Sequence, residues 1–325
     1  MRCLVTGANG FLGAALVKRL AADGAFSEVR ALVRDGSDAS ALGSAGTRVS
    51  GDVTDSASLL KACEGVEVVF HLAGVRRGAS RDDFMRVNAH GTQLVAEAMV
   101  KTGGRRFVLC GSLAASGPSS ADRPRREEDP FCPEEWYGES KAEAERLAFT
   151  FSKQLEVTSC RPSRILGPGD HENLTFFKLV KKGMVIRLLG PERLLSMVDV
   201  NDVVAQLILQ ATKKEAVGEA FFASSDEAVS LETLLRIVAG QLEVKTRTVP
   251  VPEQLLKSLG FSADLVSKAT GKKLPINRKL ARQLLAPGWT CSIDKAKRLL
   301  GYQPKVTIAE SLKQSCEFYV SQGWL

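Results

Sequence analysis

Tyr137 and Lys141 stand four positions apart in the segment EEWYGESKAEAERLAF, whose residue pattern is typical of the start of a helix. Positions i and i+4 lie on one helix face, so the phenol and the ammonium can point at one site. A nearby ammonium stabilises a phenolate, which makes tyrosine usable as a proton donor or acceptor. A pair with this spacing is also common on exposed helix surfaces, and other residues must decide between the two readings.

Ser112 supplies a third group with matching chemistry. It ends the strand-like segment RRFVLCGS, 25 positions before Tyr137. The carboxyl ends of parallel strands face the crevice where open α/β sheets bind ligands. A hydroxyl there can hold a carbonyl oxygen while charge develops on it. The three residues together indicate proton transfer to or from a carbonyl oxygen.

Gly7, Gly10 and Gly13 lie between the strand-like RCLVT and the helix-like FLGAALVKRL. In a dinucleotide-binding loop the first glycine allows a tight turn, the second lets the backbone approach a pyrophosphate, and the third lets helix and sheet pack closely. A helix N-terminus adds unpaired N–H groups for the anion. We predict a dinucleotide site; a glycine-rich turn of purely structural use is the alternative.

The end of the second predicted strand, EVRALVR, indicates which dinucleotide binds. An acidic residue there suits a ribose 2′-hydroxyl, whereas an arginine suits a 2′-phosphate. Arg34 occupies that end and Asp35 follows it. We therefore favour NADP, and NAD is the alternative if Asp35 turns inward.

Two further segments fit the same groove. Asp52 and Val53 in GDVTD follow the third strand, where adenine would lie, although Asp52 is equally expected as a plain loop carboxylate. In HLAG, the residues Leu72, Ala73 and Gly74 close the next strand, and we interpret His71 as a satisfied core histidine.

The composition is that of an ordinary globular protein. The 325 residues are 44% hydrophobic and 25% charged, and the net charge of +7 comes from 44 basic residues interleaved with 37 acidic ones. The basic residues do not form a patterned face of the kind that indicates nucleic-acid binding. Seven scattered cysteines with few histidines predict reduced thiols and no metal site. We expect a cytoplasmic protein without a membrane span.

Strand-like and helical segments alternate through the first half of the chain. This alternation predicts an α/β fold with a doubly wound parallel sheet, a Rossmann domain over residues 1–166. Residues 167–325 are expected to form a smaller, mostly helical substrate lobe, including a helical and loop-rich stretch over 229–287. About 196–224 and part of 290–325 are expected to pack back on the first domain.

Together these segments resemble the extended short-chain dehydrogenases/reductases over nearly the whole chain: TGANGFLG, GDVTD, HLAG, VNAHGT, CGSLAASG, YGESK, RPSRILGPGD, VDVNDV and KAKRLLGYQP. The resemblance implies Ser112, Tyr137 and Lys141 as a catalytic triad, with Asn88 organising the site through water. It also implies a nicotinamide wall at Pro162 and cofactor contacts from three more residues of the glycine loop, Asn9, Phe11 and Leu12.

Departures from the family pattern narrow the branch. Dehydratases carry an acidic pair after the active-site Ser/Thr, where this chain has Leu113 and Ala114. Sugar-nucleotide enzymes typically show Arg-Asp-Phe before VDVNDV, where this chain has Leu195, Ser196 and Met197. The chain looks more like the dihydroflavonol-reductase and 3β-hydroxysteroid-dehydrogenase branch.

An apolar set suits the substrate pocket, since such pockets are mostly hydrophobic with few polar anchors. About half of the set is expected to be core instead, as large apolar residues usually are. The set comprises Phe84, Phe176, Phe177, Met184, Leu195 and Met197. Arg76 and Arg77, just after HLAG, are expected on a solvated loop more than at a substrate carboxylate.

The sequence thus predicts an NAD(P)H-dependent oxidoreductase that interconverts a carbonyl and a secondary alcohol. Its substrate is a hydrophobic small molecule: a sterol, a flavonoid, a β-keto acid or a quinone-like metabolite. The alternatives are a sugar-nucleotide epimerase that retains its cofactor and a non-catalytic redox sensor on the same fold. The helices in HGTQLVAEAMVKTG and SKAEAERLAFTFSK resemble a family dimer interface, so we expect a homodimer.

Overall fold

A computed structural model describes residues 1–120, 122–270 and 278–325, with only the backbone described for 264–270 and for 279. Residues 271–277 of the predicted helical and loop-rich stretch therefore lie outside the described residues.

Thirteen strands are assigned in the described ranges. They are β1 (Arg2–Thr6), β2 (Glu28–Val33), β3 (Thr47–Ser50), β4 (Val68–His71), β5 (Arg106–Cys110), β6 (Glu156–Pro162), β7 (Arg164–Leu166), β8 (Met184–Leu188), β9 (Leu194–Asp199), β10 (Ala220–Ala223), β11 (Ala228–Ser230), β12 (Arg247–Val251) and β13 (Gly288–Trp289).

The α-helices alternate with the strands in the first half of the chain. They are α1 (Phe11–Ala21), α2 (Ser56–Cys63), α3 (Arg81–Phe84), α4 (Gly91–Lys101), α5 (Leu113–Ser116), α6 (Trp136–Thr150), α7 (Leu174–Lys181), α8 (Val200–Thr212), α9 (Leu231–Leu242), α10 (Glu253–Thr270), α11 (Arg278–Leu285), α12 (Asp294–Leu300) and α13 (Ile308–Ser321). A π-helical segment, Met85–His90, joins α3 to α4.

Seven strands form one sheet in the order β10-β6-β5-β4-β1-β2-β3, and every neighbouring pair is parallel. The chain starts at β1, builds outward to β3, and then crosses to β4 on the other side of β1. The reversal of strand order beside β1 creates a crevice at the carboxyl ends of β1 and β4. The predicted doubly wound parallel sheet is confirmed.

The two faces of this sheet carry separate cores because side chains alternate along each strand. In β1, Cys3 and Val5 point to the core formed with α1 and α8, whereas Leu4 points to the core formed with α2, α4 and α6. Strand β10 and helix α8, which come after residue 167 in sequence, thus belong to the sheet layers.

Helices α7, α9 and α13 enclose a third core with strands β8 and β9, and α12 packs in a separate cluster with β10. Phe177 packs edge-on against Tyr319 with ring centroids 5.0 Å apart, and the Tyr319 hydroxyl donates to the Asp170 carbonyl at 2.6 Å. That bond ties the last helix to the loop that follows β7. The structure also pairs β12 with β8 in parallel, a contact absent from the sequence expectation of helices and loops in this stretch.

A buried ion pair holds α6 against β6. Glu145 accepts from Arg161 Nε at 3.1 and 3.0 Å and from its Nη2 at 2.5 Å, and both side chains are at most 6% exposed. The guanidinium also donates to the Glu127 carbonyl at 3.0 Å and lies 4.8 Å from the Phe131 ring centroid. Helix α6 carries Tyr137 and Lys141, so the ion pair between Glu145 and Arg161 fixes the position of the predicted catalytic helix relative to the sheet.

Glu145→Ala is expected to lower the free energy of unfolding by about 3–5 kcal/mol, because it leaves the Arg161 guanidinium buried without a counter-charge. Urea denaturation followed by circular dichroism measures the change. Glu143→Ala is the matched control on the same helix: its ion pair with Arg146 is 41% and 56% exposed, and its loss should cost under ~1 kcal/mol. Equal, small effects from both variants would contradict this role for the buried pair.

Candidate active site

The first turn of α6 brings Tyr137 and Lys141 to one face, as their spacing predicts. Tyr137 is half-buried and Lys141 is buried. The helix comes close to α5 at Gly138, where an added Cβ would lie 2.4 Å from the Ala114 carbonyl oxygen. This contact sets the turn that carries Tyr137 against the short helix that follows Ser112.

Ser112 is the N-cap of α5, two residues beyond the end of β5. Its Oγ accepts from the Ala114 N–H at 3.1 Å, and the residue is partly exposed. Capping uses the oxygen only as an acceptor, so the hydroxyl hydrogen is left to donate to another oxygen. The capped helix, which the sequence reading did not include, gives Ser112 a fixed orientation at the strand end.

Asn88 lies in the π-helical segment and joins three parts of the site. Its Oδ1 accepts from the Val75 N–H at 2.7 Å, and its Nδ2 donates to the Val75 carbonyl at 3.0 Å and to Ser140 Oγ at 2.8 Å. Ser140 in turn donates to the Tyr137 carbonyl at 2.8 Å. Asn88 therefore positions both the loop after β4 and the helix of the predicted triad.

Gly74, in the loop after β4, lies close to both Asn88 and Lys141. A Cβ added to it would lie 3.0 Å from Asn88 Oδ1 and 3.9 Å from Lys141 Nζ. The predicted residues Gly74, Asn88 and Lys141 are thus brought together at the carboxyl end of β4.

His71 is fully buried beneath this group, between two threonines. The Ala73 N–H donates to Thr6 Oγ1, which lies 2.8 Å from His71 Nδ1; His71 Nε2 lies 2.9 Å from Thr92 Oγ1, which donates to the Asn88 carbonyl. Each hydroxyl then has a donor and an acceptor role only if Nε2 carries the proton and Nδ1 accepts. Burial, with a smaller contribution from the nearby Lys141 charge, lowers the pKa of His71 to about 3.

The glycine loop has the geometry of an anion cradle. Gly7 has φ +66°, and a Cβ there would lie 2.7 Å from the Ala73 nitrogen. Gly10 caps α1 without a side chain, and a Cβ on Gly13 would lie 2.1 Å from the Gly7 carbonyl oxygen. The open N-terminus of an 11-residue helix above this cradle fits a dinucleotide pyrophosphate.

The other predicted loop residues have separate positions. Asn9 donates its side-chain amide to the Asp38 carbonyl at 2.8 Å, Phe11 lies beside Gly167, and Leu12 packs on the core. Leu72 donates its N–H to the Thr6 carbonyl at 3.2 Å, which brings the ends of β1 and β4 together beside the cradle.

At the far end of the crevice, Arg34 directly follows β2 and is exposed. The Asp35 carboxylate accepts from Ser50 Oγ at 2.5 Å, which engages one of its oxygens. Burial raises the pKa of Asp52, but hydrogen bonds from Thr54 and the charges of Arg34 and Arg86 outweigh it and lower that pKa overall. Val53 is buried against Gly91.

The predicted substrate residues divide between core and cleft. Phe177 and Met197 are fully buried in the third core, and Phe84 is 3% exposed beside Gly78. Phe176 is half-buried, and the Arg164 guanidinium carbon lies 4.8 Å from the centroid of the Phe176 ring. Pro162, the predicted nicotinamide wall, is buried at the end of β6.

A family model described as the NAD dependent epimerase/dehydratase family matches residues 3–223. The chain belongs to this family. Ceramide reductase of Caulobacter vibrioides is 29% identical over 323 residues, which cover 99% of this chain and 95% of the relative. UDP-glucose 4-epimerase of Vibrio cholerae is 28% identical over 336 residues, which cover 98% of this chain and 95% of that one.

A solved structure agrees with the fold. The dTDP-glucose 4,6-dehydratase DesIV from Streptomyces venezuelae, with NAD and TYD bound, matches with a TM-score of 0.80 at 23% identity, over 100% of this chain and 98% of its own. The predicted extended short-chain dehydrogenase/reductase family and its NAD(P)-dependent oxidoreductase chemistry are confirmed. No cluster of metal-binding side chains and no helix long and apolar enough to cross a membrane occurs in the part of the chain described.

Sequence reasoning about this family member missed the roles of two residues. Thr92 lies in the VNAHGT segment, in which only Asn88 was predicted to have a role. Arg164 lies in RPSRILGPGD, two residues after Pro162. A charged residue that close to the predicted nicotinamide wall was the available signal for Arg164.

The family member should lose stability in acid through His71. Its folded-state pKa of about 3 lies below the usual 6.5, so the unfolded chain takes up a proton first as pH falls. This contribution is complete above pH ~6.5 and decreases as pH falls toward 3, by about 2 kcal/mol between pH 7 and 5.

His71→Gln should therefore unfold with a shallower pH dependence than the parent over that window. The quantity to compare is the difference in unfolding free energy between pH 7 and pH 5, from urea titrations of both proteins. Parallel pH profiles would show that the buried imidazole is not the source.

Proposed function

We propose that this protein reduces a carbonyl group on a hydrophobic small molecule, or oxidises the matching secondary alcohol, with NADP as the cofactor. The observation that supports it most is the close approach of Gly138 on α6 to Ala114 on α5, because it packs the helix that carries Tyr137 and Lys141 against the helix that Ser112 caps.

In this reaction, several residues of the chain have separate roles at the substrate oxygen. A bound nicotinamide supplies the hydride that reaches the carbonyl carbon. The Ser112 hydroxyl donates a hydrogen bond to the substrate oxygen, and the Tyr137 phenol transfers its proton to that oxygen. The buried Lys141 ammonium stabilises the phenolate that remains, and Asn88 keeps the helix in register through Ser140. One hydride and one proton convert the carbonyl to an alcohol.

The surroundings of the triad favour reduction over the chemistry of sugar nucleotides. Leu113 and Ala114 follow Ser112 where a dehydratase would need an acidic pair. In β9, Ser196 and Met197 are buried and offer no cation to a diphosphate. The similarity to a ceramide reductase agrees with an apolar substrate.

A sugar-nucleotide epimerase is the second candidate, because the Vibrio cholerae relative has almost the same identity and coverage. An epimerase would be isolated with its cofactor tightly bound and would consume no NADPH, whereas the proposed reaction oxidises NADPH in proportion to substrate.

We also propose that the protein is a homodimer paired through α4 and α6.

Tyr137→Phe removes only the phenol oxygen and should lower turnover roughly 10²–10⁴-fold, the usual contribution of a general acid. NADPH oxidation with a panel of apolar ketones measures the loss, and NADPH fluorescence titration should show unchanged cofactor binding. Trp136→Phe, the exposed neighbour in the same turn, is the control and should stay active. Full activity in the Tyr137 variant would end the proposal.

NADP specificity is proposed to come from Arg34, which makes no salt bridge within the described residues although its charge acts on Asp52, while the Asp35 carboxylate accepts from Ser50 Oγ. Arg34→Asp should lower kcat/KM for NADPH relative to NADH by roughly tenfold or more, about 1.4 kcal/mol. Arg19→Asp on the outer end of α1 makes the same charge change away from the groove and should leave the ratio alone. A parent enzyme that prefers NADH would refute the role of Arg34.

A further inference from the structure

Two arginines that the proposed reaction does not use flank the active-site cleft. Arg76 is two residues beyond Gly74, whose position lies beside Lys141. Arg164 is two residues beyond Pro162 at the end of β6. Because Cys160 of β6 pairs with Cys110 of β5, Pro162 lies at the same end of the sheet as Ser112. Two residues of extended chain, about 7 Å at most, then separate each arginine from these positions.

Side-chain contacts bring the two loops together across the mouth of the cleft. Arg77 Nη2 donates to Glu172 Oε1 at 2.8 Å, which joins the loop after β4 to the loop before α7. In that second loop Asn173 accepts from Arg164 Nε at 2.5 Å. Arg76 and Arg164 thus belong to one connected rim.

The Arg164 guanidinium is held in a fixed orientation by neighbouring side chains. Asn173, which orients it, is 2% exposed and donates its own amide to the Ile165 carbonyl at 2.8 Å. The guanidinium lies over the Phe176 ring at 4.8 Å, and the residue as a whole stays exposed. Its Nε donates to Asn173, while neither Nη atom has a hydrogen bond or ion pair among the described residues, so both Nη atoms can donate to an anion.

The charges of the rim support an anionic ligand. Desolvation and the positive charge of Arg76 lower the pKa of Arg164, against the opposing effect of Asp170 and Glu172. Those two carboxylates are already engaged, since Asp170 caps the N–H groups of Glu172 and Asn173 and Glu172 binds Arg77. Neither arginine of the pair has a salt bridge to a carboxylate within the described ranges.

We propose that Arg76 and Arg164 bind a carboxylate of the substrate, so that the molecule reduced is an apolar oxo acid and the alcohol is the matching hydroxy acid. This inference rests on the proposed function for the position of the carbonyl. A carboxylate fits better than a diphosphate because the rim borders the apolar Phe176 and because β9 adds no cation.

Calorimetric binding to the NADPH-loaded protein tests the site without turnover, since reduced cofactor and an alcohol form a dead-end complex. The probes are 3-hydroxydecanoate and its neutral counterpart 3-hydroxydecanamide. The parent should bind the acid at least tenfold more tightly than the amide, as expected for charge-assisted hydrogen bonds. Arg164→Gln and Arg76→Gln should lose that preference while their affinity for the amide stays the same.

Arg19→Gln is the matched control, because it removes an exposed guanidinium that pairs with Asp23 at the outer end of α1; it should keep the preference for the acid. Equal binding of acid and amide by the parent, or a preference that survives in both test variants, would overturn the proposal. Displacement of the acid by UDP-glucose, lost in Arg164→Gln, would also overturn it in favour of a diphosphate. A protein that prefers the acid but reduces no carbonyl would support the carboxylate site and refute the proposed reaction.

Discussion

Asn88 belongs to the π-helical segment, and its side-chain amide contacts both the loop after β4 and the helix that carries Tyr137 and Lys141. A π-helical turn inserts one extra residue into a helix, which turns the side chain away from the face that an α-helix would give it. The side-chain amide of Asn88 fixes the position of α6 through Ser140, which donates to the Tyr137 carbonyl. The backbone carbonyl of Asn88 accepts a hydrogen bond from Thr92 Oγ1. Its placement therefore links the local backbone irregularity to the position of Tyr137.

Below Asn88, the bonds from Thr6 through His71 to Thr92 run from the end of β1 to α4, the helix that follows the π-helical segment. The two ends of this chain of bonds are the glycine loop, where the cofactor phosphates are expected, and the triad, where the substrate oxygen is expected. An imidazole kept neutral by burial has one donor and one acceptor, so the direction of every bond in the chain is fixed. These bonds connect the strand end before the glycine loop to Asn88, and through Ser140 to the helix that carries Tyr137.

The sequence predicted the sheet and the family because both depend on local patterns. Alternating strands and helices imply parallel pairing, and Gly7, Gly10 and Gly13 report contacts that only glycine permits. The spacing of Tyr137 and Lys141 predicted a shared face because helix periodicity is itself local. Phe177 and Met197 could be recognised as large and apolar, but whether they line a cleft or fill a core depends on α13, far away in sequence.

Contacts between distant segments were beyond such reasoning. The pairing of β12 with β8 and the ion pair of Arg161 with Glu145 join residues whose neighbours in sequence give no sign of the partner. Arg164 illustrates the functional consequence: as a sequence position it is a polar residue in a motif, and only Asn173 and Phe176 show that its guanidinium is oriented. An oriented charge at an apolar cleft restricts which molecules can reach the triad, because a neutral ketone leaves that charge unpaired. Under the proposed carboxylate site, Arg164 selects the substrate while Ser112, Tyr137 and Lys141 supply the reacting groups.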